Sequence, residues 1–164
     1  MRIIKLAIIS IVILFLVVYG ISLLIPSHIR ISRAANIDVP KDSLVSALTD
    51  LRQWKKWNIL VNDTGLTNQQ YTFDSFSSDQ EKVTKQLQVG DTLITTWQQR
   101  KGPALISGFT WQGNGNQLVV QWYFDFHLRW YPWEKFSSIV FDKQLGPPME
   151  KSLSNLKKLL EKQP

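Results

Sequence analysis

The sequence predicts an α+β domain in which a curved antiparallel sheet wraps around a long C-terminal helix, preceded by one transmembrane helix. Three observations predict it. Residues 6–25 (LAIISIVILFLVVYGISLLI) form one uncharged, apolar run. Between residues 28 and 127 several segments alternate apolar and polar side chains, the period-2 mark of half-buried strands. Near the other end, Met149, Leu153, Leu156 and Leu160 recur at i, i+4, i+7 and i+11, an apolar stripe along a helix.

The apolar run is read as a membrane anchor. Twenty residues at 1.5 Å each make a helix about 30 Å long, the thickness of the hydrocarbon core. Fifteen of them are Leu, Ile, Val or Phe, which favours insertion by about 5–9 kcal/mol. Pro26 ends the helix. A cleaved signal peptide is the competing reading, with Arg2 and Lys5 as its positive n-region. Cleavable cores are shorter, about 7–15 residues, and precede a small-x-small site, whereas Leu24-Ile25-Pro26-Ser27-His28 follows this one. The expected organisation is an uncleaved signal anchor over 1–26 and a domain over 27–164.

Arg2 and Lys5 precede the span, but Arg30, Arg33 and Lys41 follow it, so the positive-inside rule nearly cancels. The expectation is a single-pass bacterial inner-membrane protein with its domain on the outer, periplasmic side. Only Pro26-Ser27-His28 join span to domain, a reach of about 10 Å that holds the domain at the bilayer surface.

His28–Val39 alternates, with Ile29, Ile31, Arg33, Ala35, Ile37 and Val39 on one parity, and predicts the first strand. Pro40 closes it, and Leu44, Val45, Leu48 and Leu51 follow at helical spacing. Trp54 and Trp57 share one face of a second, short helix, with Lys55 and Lys56 turned to water. Residues 59–68 read as a polar loop, in which the Asn62-Asp63-Thr64 sequon is taken as chance.

A meander of five strands is expected next. Tyr71 and Phe73 mark its first strand, Val83, Leu87 and Val89 its second, and Gly90-Asp91 a turn. Leu93, Thr95 and Trp97 mark the third, and Leu105, Phe109 and Trp111 the fourth. Gly113-Asn114-Gly115-Asn116 is a hairpin signal rather than a phosphate loop. In the fifth, Leu118, Val120, Trp122, Phe124 and Phe126 lie on one face. Pro132 then opens a helix with Trp133, Phe136, Ile139 and Val140 as its apolar stripe, and the closing helix follows Gly146-Pro147-Pro148. That amphipathic helix needs an apolar partner, and the aromatic sheet face supplies it.

Several function classes are disfavoured. The absence of Cys excludes disulfides, thiol nucleophiles and thiolate metal sites. Two His a hundred residues apart, His28 and His127, offer no metal-ligand spacing. His127 and Asp125 form an i, i+2 pair on the strand face opposite Trp122 and read as a surface pair. No nucleophile elbow or dinucleotide fingerprint occurs, so no catalytic residue, metal or cofactor is assigned. Beyond the span, 17 basic against 13 acidic residues leave a net charge of +4. The charge is dispersed, which speaks for anionic headgroups rather than nucleic acid.

Three segments carry a resemblance: SRAANIDVPKDSLVSALTDLRQWKKWN (32–58), VVQWYFDF (119–126) and DKQLGPPMEKSLSNLKKLLEK (142–162). In this order they resemble the START-like helix-grip (SRPBCC) superfamily, and within it the bacterial polyketide cyclase/dehydrase and lipid-transport-like branch that carries a membrane helix. The resemblance spans about residues 28–162. It departs from the pattern in having one strand before the helix pair and five after it, where six are usual, and in the double proline at the closing helix.

The resemblance implies a cavity between sheet and closing helix that takes apolar or amphipathic ligands. Candidate lining residues are Trp97, Trp111, Val120, Trp122, Phe124, Leu153 and Leu156, with core filling as the alternative for the same rings. Trp54 and Trp57 are candidate gates, or close one end of the barrel. The Trp130-Tyr131-Pro132-Trp133 cluster is expected to pack the sheet-to-helix corner, the alternative being a place at headgroup level. The leading expectation is a membrane-anchored module that binds a lipid-like molecule, with membrane lipids as partners and no nucleic acid. A cyclase/dehydrase- or hydrolase-type enzyme using the same cavity, and a non-catalytic assembly factor with a filled core, are the alternatives.

Overall fold

The computed structural model describes residues 2–162. Helix α1 (Arg2–Leu23) is followed by strand β1 (His28–Asp38), helices α2 (Lys41–Thr49) and α3 (Leu51–Trp57), and strands β2 (Gln70–Tyr71) and β3 (Ser75–Ser77). Then come β4 (Glu81–Val89), β5 (Thr92–Gln99), β6 (Leu105–Asn114) and β7 (Gln117–His127), helix α4 (Pro132–Ser138) and the long α5 (Phe141–Glu161). One antiparallel sheet in the order β1-β7-β6-β5-β4-β3-β2 curves around α5.

Strand alternation turns directly into packing. On β7, Leu118, Val120, Trp122, Phe124 and Phe126 are all buried on the concave face, as their parity requires. β1 pairs along its full length with β7, from His28↔His127 to Asp38↔Gln117. Helix α5 lies along β1, tied by Arg33 to Asp142 and Glu150, by Lys157 Nζ donating to the Asn36 carbonyl at 2.8 Å, and by the Asp38 N–H donating to Glu161 at 3.0 Å. Between β1 and the meander, α3 starts at Asp50, whose carboxylate accepts the Arg52 N–H at 3.0 Å and so caps it.

The structure corrects four expectations. Six strands follow the helix pair rather than five, because Tyr71 and Phe73 do not share a strand. Phe73 sits exposed in the turn between β2 and β3 beneath Lys85, and Phe76 of β3 is the buried ring. Leu87 and Val89 face outward, although Val83 is buried, because a bulge between Lys85 and Leu87 flips the parity of the strand. The closing helix begins at Phe141, with Pro147 and Pro148 inside it. The prolines cost the helix two N–H donors but do not end it, since α5 is held on both sides of them.

The fourth correction concerns α4. Trp133, Ile139 and Val140 are exposed, and the buried side of the helix is Pro132, Lys135 and Ser138. Trp130 is also exposed, so of the Trp130–Trp133 cluster only Pro132 is buried and the two tryptophans do not pack the corner. The helix is short and turned so that Trp133 is exposed while Phe136 is half-buried.

Candidate functional site

Two regions divide the concave face. In the first, rings pack solidly. Trp122 stacks on Phe109 at 4.9 Å between centroids, and Trp57 meets Trp122 edge-on at 6.3 Å. Trp54 contacts Trp57, Trp97 and Phe109. The indoles are also anchored by hydrogen bonds. Trp122 Nε1 donates to Ser107 Oγ at 2.8 Å, and Trp54 Nε1 donates to the Leu48 carbonyl at 2.9 Å. These two N–H groups are thereby satisfied inside an apolar interior, whereas Trp57 Nε1 and Trp111 Nε1 are buried there with no hydrogen-bond partner among the described residues.

The second region is a cavity of about 850 Å³, within the range usual for small-molecule sites. Its sheet wall is Trp97, Leu105, Phe124 and Phe126, and α5 contributes Phe141, Gln144 and Leu145. Leu60, from the loop after α3, and Leu128 add apolar surface. Polar groups enter at Glu81, Gln99, His127 and Arg129, and from α4 at Glu134 and Ser137.

Strand register fixes where this cavity lies. Glu81 pairs with Gln99, Trp97 with Leu105, Phe126 with Ile29 and His127 with His28. These rows sit at the end of the sheet where β1 begins, a few residues after α1. The Leu128 N–H donates to the Ser27 carbonyl at 2.7 Å and carries the β1–β7 ladder toward that exit. The cavity therefore lies at the α1 end of the sheet.

Its charges are unequal. Arg129 forks onto Glu134, with contacts of 2.6 and 2.8 Å from its guanidinium and 3.0 Å from its own N–H. The hydrogen bond from Arg129 lowers the Glu134 pKa and raises its own, so this pair stays ionised. Glu81 differs. It is half-buried on the same strand face as Val83, its side chain has no hydrogen-bond partner among the described residues, and burial pushes its carboxyl up to about 7. An acid in a largely apolar wall with nothing to neutralise it holds its proton to higher pH than a solvated carboxyl. His127 meets His28 in a tilted contact at 4.7 Å between ring centroids, while Asp125 is held outside by Arg30 at 2.7 Å.

Of the residues singled out in the sequence, the structure places Trp97 and Phe124 in the cavity wall. Trp111, Val120, Trp122, Leu153 and Leu156 are buried in the packed region, where Trp54 and Trp57 are 0% and 1% exposed. The wall residues passed over in the sequence include Glu134 and Ser137 of α4 and Phe141, Gln144 and Leu145 at the start of α5, besides strand and loop positions such as Glu81, Gln99, Leu105 and Phe126. Glu81 and Phe126 had a usable signal, since each shares parity with a buried aromatic or aliphatic neighbour on its strand.

Comparison with known proteins confirms the architecture. No family model and no curated protein matches the chain. Among solved structures, truncated norcoclaurine synthase from Thalictrum flavum aligns at TM-score 0.59 and 9% identity, over 84% of this chain and 96% of that one. A START superfamily protein from Mycobacterium smegmatis aligns at TM-score 0.55 and 14% identity, over 80% and 97%. DynU16, from the dynemicin biosynthetic locus, aligns at TM-score 0.54 and 18% identity over 81% of this chain, which spans only 47% of DynU16. At such identities the likeness establishes the fold, a START-like helix-grip.

Proposed function

We propose that this protein is a membrane-anchored binding module that holds a lipid-like or other apolar small molecule in the cavity between the sheet and α4–α5. The observation that carries the reading is the position of the cavity at the end of the sheet adjoining α1. Ile3–Leu23 is long and apolar enough to cross a bilayer, and it is almost wholly exposed. A ligand entering there leaves the membrane and meets an apolar wall within a few residues' reach of it. With Arg2 and Lys5 ahead of the span, and Arg30, Arg33 and Lys41 each engaged by a carboxylate, the reading puts the domain on the outer side. The open volume weighs against a scaffold whose core is filled by its own side chains.

The test is photolabelling of the full chain in proteoliposomes with a phospholipid carrying a diazirine in its acyl chain. Adducts on the wall residues of peptides 97–105 and 141–145 are expected besides those on α1. Adducts confined to α1 would contradict the proposal.

One observation favours a second reading, chemistry of the cyclase/dehydrase type. Glu81 lines the cavity, and burial raises its carboxyl to about 7, so part of the population carries the proton a general acid needs near neutral pH. Conversion of a bound molecule by wild type but not by Glu81→Gln would move the protein into that class.

A further inference from the structure

Helix α4 has two faces with different chemistry. One supplies Glu134 and Ser137 to the cavity and buries Lys135, whose Nζ donates to the Ile25 carbonyl at 2.9 Å. The other exposes Trp133 (64%), and is continued by Ile139 (63%) and Val140 just past the C-terminal end of α4 and by Trp130 on the preceding turn. Tyr131 stacks on Trp133 at 4.7 Å and meets Trp130 in a tilted contact at 4.6 Å, so the patch is preassembled rather than a scatter of loose side chains.

An apolar patch of this kind on a soluble surface needs an occupant. Its surroundings say which. Helix α4 packs against α1, and Ser22 in the last turn of α1 is fully buried. Upstream of that turn α1 is bare apolar surface, so the patch lies at the level where α1 leaves its apolar stretch. Trp and Tyr are the side chains that favour the boundary between headgroups and hydrocarbon.

We propose that the Trp130–Trp133 turn and the outer face of α4 form a second membrane contact, seated in the bilayer interface beside the exit of α1. This rests on the reading of α1 as a membrane span. Because the opposite face of α4 lines the cavity, the contact places the cavity wall against the lipid surface, and α4 separates the bound molecule from the bilayer by one helix.

The chain has no cysteine, so single nitroxide labels can be placed without removing native thiols. The full chain is reconstituted in phosphatidylcholine/phosphatidylglycerol vesicles with a label at Leu14→Cys in α1, Ile139→Cys just past α4, or Val119→Cys at the far end of β7. Collision with oxygen and with a water-soluble nickel chelate is then measured for each. The expected order is Leu14 in hydrocarbon, Ile139 severalfold higher in its oxygen-to-nickel ratio than Val119, and Val119 in water. Trp130→Ala/Trp133→Ala, which alters exposed rings only, is expected to return Ile139 toward the value of Val119. An Ile139 label as wet as Val119 while Leu14 is deep overturns this contact and leaves the anchor standing. Spin–spin broadening at Ile139 overturns it in favour of a second copy. A wet Leu14 overturns the anchor itself.

Discussion

The guanidinium of Arg33 on β1 donates to Glu150 on α5 at 2.6 Å, in a space that exists only because residue 146 is glycine. A Cβ at Gly146 would collide with Arg33 Nη2 and crowd Cζ at 2.8 Å. Arg33 also meets Asp142 at 2.9 Å, so one guanidinium fastens the first three turns of α5 to the sheet.

Gly146→Ala is therefore expected to destabilise the wild-type protein by about 1–2 kcal/mol, through displacement of Arg33 and loss of packing under the helix. In an Arg33→Ala background the same change should stabilise by up to about 1 kcal/mol, because only the helix propensity of alanine remains. A double-mutant cycle by urea denaturation checks the reversal of sign.

Ser107 is fully buried, accepts from the Trp122 indole and donates to the Tyr123 carbonyl, both at 2.8 Å. Ser107→Ala strands the indole N–H in an apolar interior, and a loss of about 1–3 kcal/mol is expected. Trp122→Phe in the same background should recover part of it, since the orphaned donor is then gone. Thermal melts of the three variants test this.

Glu81 gives stability a pH dependence of unusual sign. In the unfolded chain its carboxyl ionises near 4.5, while in the folded protein it holds its proton up to about 7. Between these values the folded state binds more protons, so raising the pH favours unfolding. Its contribution to stability is therefore lost as pH rises from about 4.5 to about 7 and is constant above that. The melting temperature of Glu81→Gln minus that of wild type is expected to climb across this window and then plateau. A flat difference would mean that Glu81 finds a partner in solution.

Much of the architecture was readable in the residues. The parity of β7 and β1, the Trp54/Trp57 helix and the apolar stripe of α5 all follow from local periodicity, and each is packed as that periodicity requires. What was hidden depends on tertiary context. A bulge in β4 reverses the face of Leu87 without any glycine or proline to announce it. Pro147-Pro148 looks like a start signal, yet α5 runs through it because Arg33 and the sheet hold both sides. The cavity suffered most from that. Its wall draws on Phe141, Gln144 and Leu145, ahead of the prolines, while of the candidate rings Trp97 and Phe124 reach it and Trp111 and Trp122 are packed in the core.

Ser137 offers a way to block the cavity from its rim. It is exposed, lies in the wall, and its hydroxyl serves only the Glu134 carbonyl at 2.9 Å. Ser137→Trp is expected to fill part of the volume at a stability cost under about 1 kcal/mol, as for surface changes generally. Labelling of the sheet wall by the diazirine lipid should fall at least tenfold, while labelling of α1 stays unchanged. Circular dichroism melts and peptide mapping separate the two effects.

The central claim, that the cavity holds a membrane-derived apolar molecule, is tested most directly by native mass spectrometry of the full chain released from a mild detergent. A discrete adduct of lipid-like mass on the wild-type protein, sharply reduced on Ser137→Trp, is the expected result. A bare wild-type chain, or an adduct equally abundant on both proteins, would contradict the account.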